Sequence, residues 1–433
     1  MPAERLPGAP EGEDRIVCHV DMDCFYAACE RLKEPELADE LVVVGMGYED
    51  GETHGAVATA SYEAREHGLE SAMAISEALE LLPRAETADP DAQNVGHYRP
   101  VDMEFYESVS EDVREILHDC ADVVREVSID EAYLDVTDRT DWGVAAGFGR
   151  WIKDRIRREV GVVASVGVAP NMSAAKIASD HDKPDGLVVV PPNELREFLA
   201  PLPVEELHGV GPVTAGELRE MGLTTAGDVA ETTPGELADR FGEQGRTLRR
   251  RARGEDDREV TPRGRPKSLS RESAFTEAVA EPEPKREKVQ RLAAAVADRA
   301  RRKGATYRTI GVKAVLPPFD VNTRERSLPG PVDDPDLLES VALDLFAEFD
   351  DERVRKVGVR VSNLSFADGD QATLDGEWDD AGGDDDPPGN IDGPEPPQGQ
   401  VTLDALGDDE DASDDGDGIA HDAGDDQSSL TDF

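Results

Sequence analysis

Residues 16–21 read IVCHVD and residues 127–135 read VSIDEAYLD. The first is an apolar run that ends on Asp21, the pattern of a buried strand. The second lies in a strand–turn–strand pattern: a strand over 123–127, a turn over 128–131 and a strand over 132–136. This hairpin sets Asp130 and Glu131 in its turn. Carboxylates gathered at one point repel, so away from a solvated edge they need cations. Hard oxygen ligands select Mg²⁺, which binds through one or two carboxylates plus substrate phosphates. Two such ions about 4 Å apart can activate an attacking hydroxyl and stabilise a leaving pyrophosphate. Spacing alone leaves an equal alternative, in which these acids are turn residues on a solvated edge.

Outward from these two stretches, short β-rich runs alternate with helical periods, which predicts an α+β multidomain chain. Strands are expected over 41–45, 56–60 and 162–168. Helices are expected over 71–82, closed by Pro83, and over 101–118, 145–159 and 172–179. Pro191, Pro192, Pro201 and Pro203 mark entry into a small helical unit, and TPRGRPK at 261–267 reads as a basic linker. A last αβ segment follows, with helices over 289–303 and 337–349 and strands over 309–316 and 356–361.

Acidic residues outnumber basic ones 96 to 46, the net charge is -50, and the basic set is 36 Arg to 10 Lys. Global charge therefore gives no support to nucleic-acid binding, and cationic clusters matter only where they are local. Carboxylate excess of this kind is that of a protein adapted to a salt-rich cytoplasm, where self-repulsion is screened. From residue 367 onward there are 23 Asp and Glu and no Lys or Arg, which predicts a disordered acidic tail. The arm over 1–14 is expected to be disordered as well. Four cysteines without a CxxC pair fit a reduced, cytoplasmic protein, and the absence of an apolar run of about 18 residues argues against a membrane span.

Four segments carry a family likeness: HVDMDCFYAACE at 19–30, AVATASYEAREHGL at 56–69, SIDEAYLDVT at 128–137 and SVGVAPNMSAAKIASDHDKPDG at 165–186. In this order they closely resemble Y-family DNA polymerases of the DinB, or polymerase IV, type, and the likeness runs over 15–364. It implies a right-hand fold: a ferredoxin-like palm over 15–24 and 99–190, small fingers over 25–98, and a helical helix-hairpin-helix thumb over 191–257. A linker over 258–267 and an αβ little finger over 268–366 complete the hand.

The resemblance also implies roles. Asp21, Asp130 and Glu131 would hold two Mg²⁺ ions, with the backbone carbonyl of Met22 as a further ligand, and Glu131 or solvent would take the primer hydroxyl proton. Tyr62, Arg65 and Lys183 match the triphosphate contacts. The chemistry agrees, since Arg forks onto phosphate oxygens and Lys supplies a point charge. Tyr26 matches the steric gate against a ribose 2'-hydroxyl, with Phe25 packed beside it and Thr59 completing the nucleotide set. Taken singly, each has a blander reading as core aromatic or surface cation. Ala56, Ala58 and Ala72 would leave a roomy site for distorted templates. Cys24 and Ala74 depart from the Tyr and Pro of some relatives, which leaves lesion preference and finger rigidity open.

LHGVGPVTAGEL at 207–218 resembles a helix-hairpin-helix, in which Gly209 and Gly211 would let backbone N–H groups approach a phosphate. Arg246, Arg249 and Arg250, in a cluster with Arg251 and Arg253, and Lys267 in the linker are further DNA candidates; the alternative is a solvated basic face. QSSLTDF at 427–433 resembles a sliding-clamp (PCNA) peptide, with Gln427, Leu430 and Phe433 as its anchors on a tether that raises local concentration. It has one aromatic where relatives often have two. The implied function is low-fidelity, template-directed addition of deoxynucleotides to a primer past damaged bases, by a monomer without a proofreading exonuclease. A nucleotidyl cyclase could use the same paired carboxylates but would not need the thumb, and a non-catalytic DNA- and clamp-binding scaffold would not need the carboxylates.

Overall fold

The computed structural model describes residues 15–366 apart from 90, 91 and 93, so the arm, the acidic tail and the peptide with Gln427, Leu430 and Phe433 lie outside the described residues. Strand β1 (Val17–Met22) is the central strand of a five-stranded sheet, and all six of its residues are buried. Cys18, Val20 and Met22 enter one core and Val17 enters another. The two-residue period of a strand therefore sets His19 and Asp21 on Val17's side.

From β1 the chain leaves the sheet through α1 (Phe25–Lys33), β2 (Leu41–Met46), β3 (Ala56–Ala60), α2 (Tyr62–Arg65), α3 (Ile75–Leu81) and β4 (Gly96–Pro100). This excursion forms its own three-stranded sheet, order β3-β2-β4, around Val43, Tyr48, Leu69, Ile75 and Tyr98. The helix expected over 71–82 starts later because Ala72 is left-handed (φ 70) and Ala74 is extended.

The chain returns through α4 (Met103–Cys120), β5 (Val123–Glu126), β6 (Glu131–Asp135), α5 (Ala145–Glu159), β7 (Ala164–Ala169), α6 (Met172–His181) and β8 (Leu187–Val189). The strand order β5-β6-β1-β7, antiparallel throughout, with α4 and α5 as connections, is the expected ferredoxin-like pattern, and β8 adds a parallel edge. Helix α4 begins at Met103 because the Asp102 side chain accepts from the Phe105 amide as N-cap. Its stripe of Tyr106, Val109, Val113, Ile116 and Leu117 then faces the sheet.

A helical unit follows, with α7 (Leu195–Leu199), α8 (Pro212–Glu220), α9 (Ala226–Glu231) and α10 (Pro234–Ala252). Capping boxes at Thr225 with Asp228 and Thr233 with Glu236 start α9 and α10, and Gly242, at φ 61, kinks α10. Residues 255–266 have no regular structure.

The last unit packs α11 (Pro282–Arg302) and α12 (Pro335–Phe346) on four strands: β9 (Ser268–Val279), β10 (Ala305–Leu316), β11 (Asp320–Val332) and β12 (Val354–Phe366), in the order β11-β10-β12-β9. The two strands read from sequence are the central pair. The edges β9 and β11 were missed because their residues are mostly half-buried or exposed and many are charged. Helix α11 begins seven residues before expectation. Its polar start, EPEPKREK, hides a buried anchor: Lys285 donates to the carbonyls of Ala280, Phe349, Asp350 and Glu352 at 3.0, 3.0, 2.8 and 2.7 Å.

Candidate active site

Asp21, near the end of β1, pairs in register with Glu131 on β6 and with Ser165 on β7. Helix α6 lies close over this face because β7 carries Gly167, where a Cβ would come within 2.1 Å of the Ala175 carbonyl oxygen. That closeness brings Lys176 down between the two carboxylates. Its Nζ donates to Asp21 Oδ2 at 3.0 Å and to Glu131 Oε2 at 2.8 Å. Lys183, beyond the helix end, lies 2.7 Å from Asp21 Oδ1 and 2.8 Å from Asp180 Oδ1. Buried His19 completes the cluster, with Nε2 3.3 Å from Glu131 Oε2 and Nδ1 2.7 Å from Ser179 Oγ.

These contacts drive neighbouring acids in opposite directions. Burial works to raise Glu131, but the His19 imidazole beside it and the Lys176 charge outweigh it and hold the carboxyl at about 2. Asp21 is likewise held below the ordinary range, because Lys176 and Lys183 overcome its burial. Asp130 is paired with no such cation among the described residues. Burial pushes it up to about 6, with repulsion from Asp21 and Glu131 adding to the shift.

Asp130 also faces another way. It accepts from Ser128 Oγ at 2.5 Å, and its backbone carbonyl receives the Met22 amide at 2.9 Å, which ties the turn to the end of β1. The structure thus brings Asp21 and Glu131 together and leaves the Asp130 carboxylate beside them. Among the described residues, the group of ligating atoms within 4.8 Å of one another is His19, Asp21 and Glu131.

Of the nucleotide candidates, Phe25 and Tyr26 open α1 and are almost wholly buried. Tyr26 stacks on Tyr106 at 4.6 Å, and its hydroxyl is buried with no hydrogen-bond partner among the described residues. Thr59 is half-buried on β3. Tyr62 donates its hydroxyl to Asp23 at 3.2 Å, and the Arg65 guanidinium lies 4.8 Å from the Tyr62 ring centroid.

The DNA candidates are less gathered. Gly209 takes φ +94, where its backbone passes Arg251, which donates to the His208 carbonyl at 2.7 Å. Gly211 caps α8, and a Cβ there would have open space around it. The arginines over 246–253 are engaged locally: Arg246 is bound to Glu243, Arg250 to Asp257 and Arg253 to Glu255, while Arg249 donates to the Thr232 carbonyl at 2.6 Å. Lys267 is exposed in the linker. Between the five-stranded sheet and the helical unit lies a cavity of about 790 Å³, lined in part by Glu131, Lys176, Asp180 and His208.

Sequence reading did not single out His19, Asp23, Ser165 or Lys176. Strand period was the available signal for His19, two residues before Asp21 on the same face. Lys176 had no signal of its own, because only the Gly167 contact brings it to the carboxylates.

Comparison with known proteins accounts for most of the chain. The impB/mucB/samB family matches residues 20–180, its helix-hairpin-helix motif matches 192–223, and its C-terminal domain matches 266–374. A DNA polymerase IV of Halobacterium salinarum is 64% identical over 385 residues, which is 89% of this chain and 93% of that protein. Among solved structures, a Y-family DNA polymerase chimera superposes with a TM-score of 0.72 at 29% identity, covering 81% of this chain and 100% of that one. An insertion ternary complex of Dbh DNA polymerase gives a TM-score of 0.59 at 27% identity with the same coverage. With its segments matched in chain order and a relative that shares nearly two-thirds of the aligned residues, this chain belongs to the Y family of DNA polymerases, in the DNA polymerase IV branch.

Proposed function

We propose that this DNA polymerase adds deoxynucleotides to a primer 3'-hydroxyl with low fidelity and past damaged bases, using the Asp21–Glu131 cluster as its reaction centre. One observation carries the reading: two carboxylates meet in register across β1 and β6, and Lys183, the candidate phosphate cation, is bound to the same Asp21. The donor set fits hard divalent cations, because its acids are carboxylates and the charges that balance them here are two ammonium groups. Asp21, Asp130, Glu131 and the Met22 carbonyl would hold two Mg²⁺, which when bound favour attack by the primer hydroxyl and neutralise the leaving pyrophosphate.

The chain's own residues supply the rest. Glu131 or solvent would take the primer hydroxyl proton. Lys183 and Arg65 bring positive charge to a triphosphate, and Tyr62 brings a hydroxyl donor. The Tyr26 ring, fixed against Tyr106, would meet a ribose 2'-hydroxyl sterically. Gly209 and Gly211 present backbone to a DNA phosphate, with Arg246, Arg249, Arg250 and Lys267 as weaker candidates.

The division into palm, fingers, thumb, linker and little finger with the boundaries given above belongs to this reading. So do a monomeric state, a cytoplasmic location and clamp binding through Gln427, Leu430 and Phe433. Adaptation to high salt is supported by the net charge of -50 and by the Halobacterium relative.

Primer extension in Mg²⁺ across a potassium chloride series tests the site, comparing the parent with the Asp130→Ala/Glu131→Ala form. The expected result is extension by the parent alone. Equal extension by both would remove these carboxylates from the reaction, and failure of both with intact DNA binding would favour the scaffold.

A further inference from the structure

Asp23 lies two residues beyond Asp21, is almost wholly buried, and is neither a candidate metal ligand nor a nucleotide contact. Its carboxylate is nonetheless a meeting point for three parts of the fold. Ser165 on β7 donates its hydroxyl to Oδ1 at 2.9 Å and Oδ2 at 3.0 Å. The Asp185 amide, two residues after Lys183, donates to Oδ2 at 2.7 Å. The Tyr62 hydroxyl, from the three-stranded unit, donates to Oδ1 at 3.2 Å, the longest of the set.

The segment that follows Lys183 is held from other sides too. Asp185 has φ 56, a left-handed conformation that a residue with a side chain keeps only when its surroundings enforce it. Lys153 and Arg157 of α5 grip its carboxylate at 3.0 and 2.7 Å, and the Gly186 amide donates to Ser165 Oγ at 3.0 Å. Asp23 is the one group in this set that also touches Tyr62.

We propose that Asp23 is a positioning residue for the incoming nucleotide: it fixes Tyr62 relative to the segment bearing Lys183, and triphosphate binding transfers the Tyr62 hydrogen bond from Asp23 to a phosphate oxygen. The inference rests on the reading of Tyr62 and Lys183 as triphosphate contacts. Its chemistry is that of a placeholder anion, since a hydroxyl kept oriented by one acceptor reaches another without first being ordered. The bond to be exchanged is the longest, whereas the bonds to Ser165 and Asp185 stay and keep Lys183 in place.

Steady-state kinetics on the full chain separates this role from a structural one. Asp23→Asn keeps the shape but turns an acceptor oxygen into a donor that faces the Asp185 N–H or the Tyr62 O–H. Its KM for deoxynucleotide should rise on the order of ten-fold with kcat within about two-fold, and the rise should be smaller in a Tyr62→Phe background. A fall in kcat with KM unchanged, or the same rise in both backgrounds, overturns the proposal. If Asp23→Asn does not fold, Ser165→Ala decides: a higher KM with faster hydrogen exchange at the 185 and 186 amides supports it, and no change in either overturns it. Lys183→Ala tests the underlying reading separately. An unchanged KM there refutes the triphosphate contact itself, whereas a raised KM with Asp23→Asn neutral refutes only the role of Asp23.

Discussion

The Asp21 cluster and the arginine-rich end of α10 are both dense in charge, yet they are built in opposite ways. In the first, Lys176 meets Asp21 across 155 positions and Glu131 across 45. In the second, Arg246 meets Glu243 three positions away and Arg253 meets Glu255 two away. Strand register and the close seat of α6 assemble the first set, and breaking one partner leaves charge stranded in a partly buried place, at about 3–5 kcal/mol where burial is complete. The second set forms wherever such residues are neighbours on a solvated surface and is worth about 0–1 kcal/mol. A charge cluster in sequence is thus a weaker sign of a site than one that exists only after folding.

The largest expected effect is on chemistry. Glu131→Ala should reduce primer extension on the order of a thousand-fold or more while duplex DNA binding, read by anisotropy, is retained. Retained extension would place the reaction elsewhere and erase the contrast between the two regions.

Next comes Lys176→Met, which leaves Asp21 and Glu131 facing each other without their shared ammonium. In EDTA it should destabilise the protein by about 2–4 kcal/mol in chemical denaturation, less than the fully buried limit because the lysine is partly exposed. Added Mg²⁺ should restore part of the loss in the variant and do less for the parent. An unchanged midpoint would reduce the cluster to the kind of pairing seen on α10.

pH gives a smaller effect with a distinctive sign. The folded-state value of Asp130, about 6, lies above the ordinary carboxylate range. The folded protein then binds that proton more tightly than the unfolded chain, so in EDTA stability from Asp130 should decline as pH rises from about 4 to 6. Glu131, held at about 2, contributes stability that is present above its ordinary range and is lost as pH falls toward 2. The half-saturating Mg²⁺ concentration for extension should also rise as pH drops through 6, since the Asp130 proton competes with the ion. A flat Mg²⁺ requirement from pH 7.5 to 5.5 would sink this reading of Asp130.

The smallest effect belongs to α10. Arg246→Ala and Arg250→Ala should each change stability by less than about 0.5 kcal/mol. If either arginine exchanges its acidic partner for a DNA phosphate, its removal should reduce the slope of log affinity against log salt by about 0.9. No change in slope would leave these residues as surface pairs.

Much of this was legible in the sequence, for identifiable reasons. The βαββαβ core could be read because β1, β7 and the 123–135 hairpin are apolar with clear turn residues, and α4 and α5 carry helical stripes. Asp21, Asp130 and Glu131 were visible because acids stand out at the end of an apolar run and where a hairpin turn meets its second strand, of which Glu131 is the first residue. What period and composition could not show was contact across the sheet. Neither the Lys176 bridge nor the meeting of Tyr62, Ser165 and Asp185 on Asp23 leaves a local mark. Charged edge strands such as β9 and β11 escaped for the complementary reason that their order comes from pairing with β12 and β10, not from their own residues.

Lys285 is different again, because its ammonium is enclosed by four main-chain oxygens in the manner of a dehydrated potassium ion. Here the ion is delivered by the polypeptide itself, so its occupancy follows from the covalent chain and has no dissociation constant. The turn at 349–352 is stitched to the start of α11 by a guest that neither dilution nor a change of electrolyte can wash out.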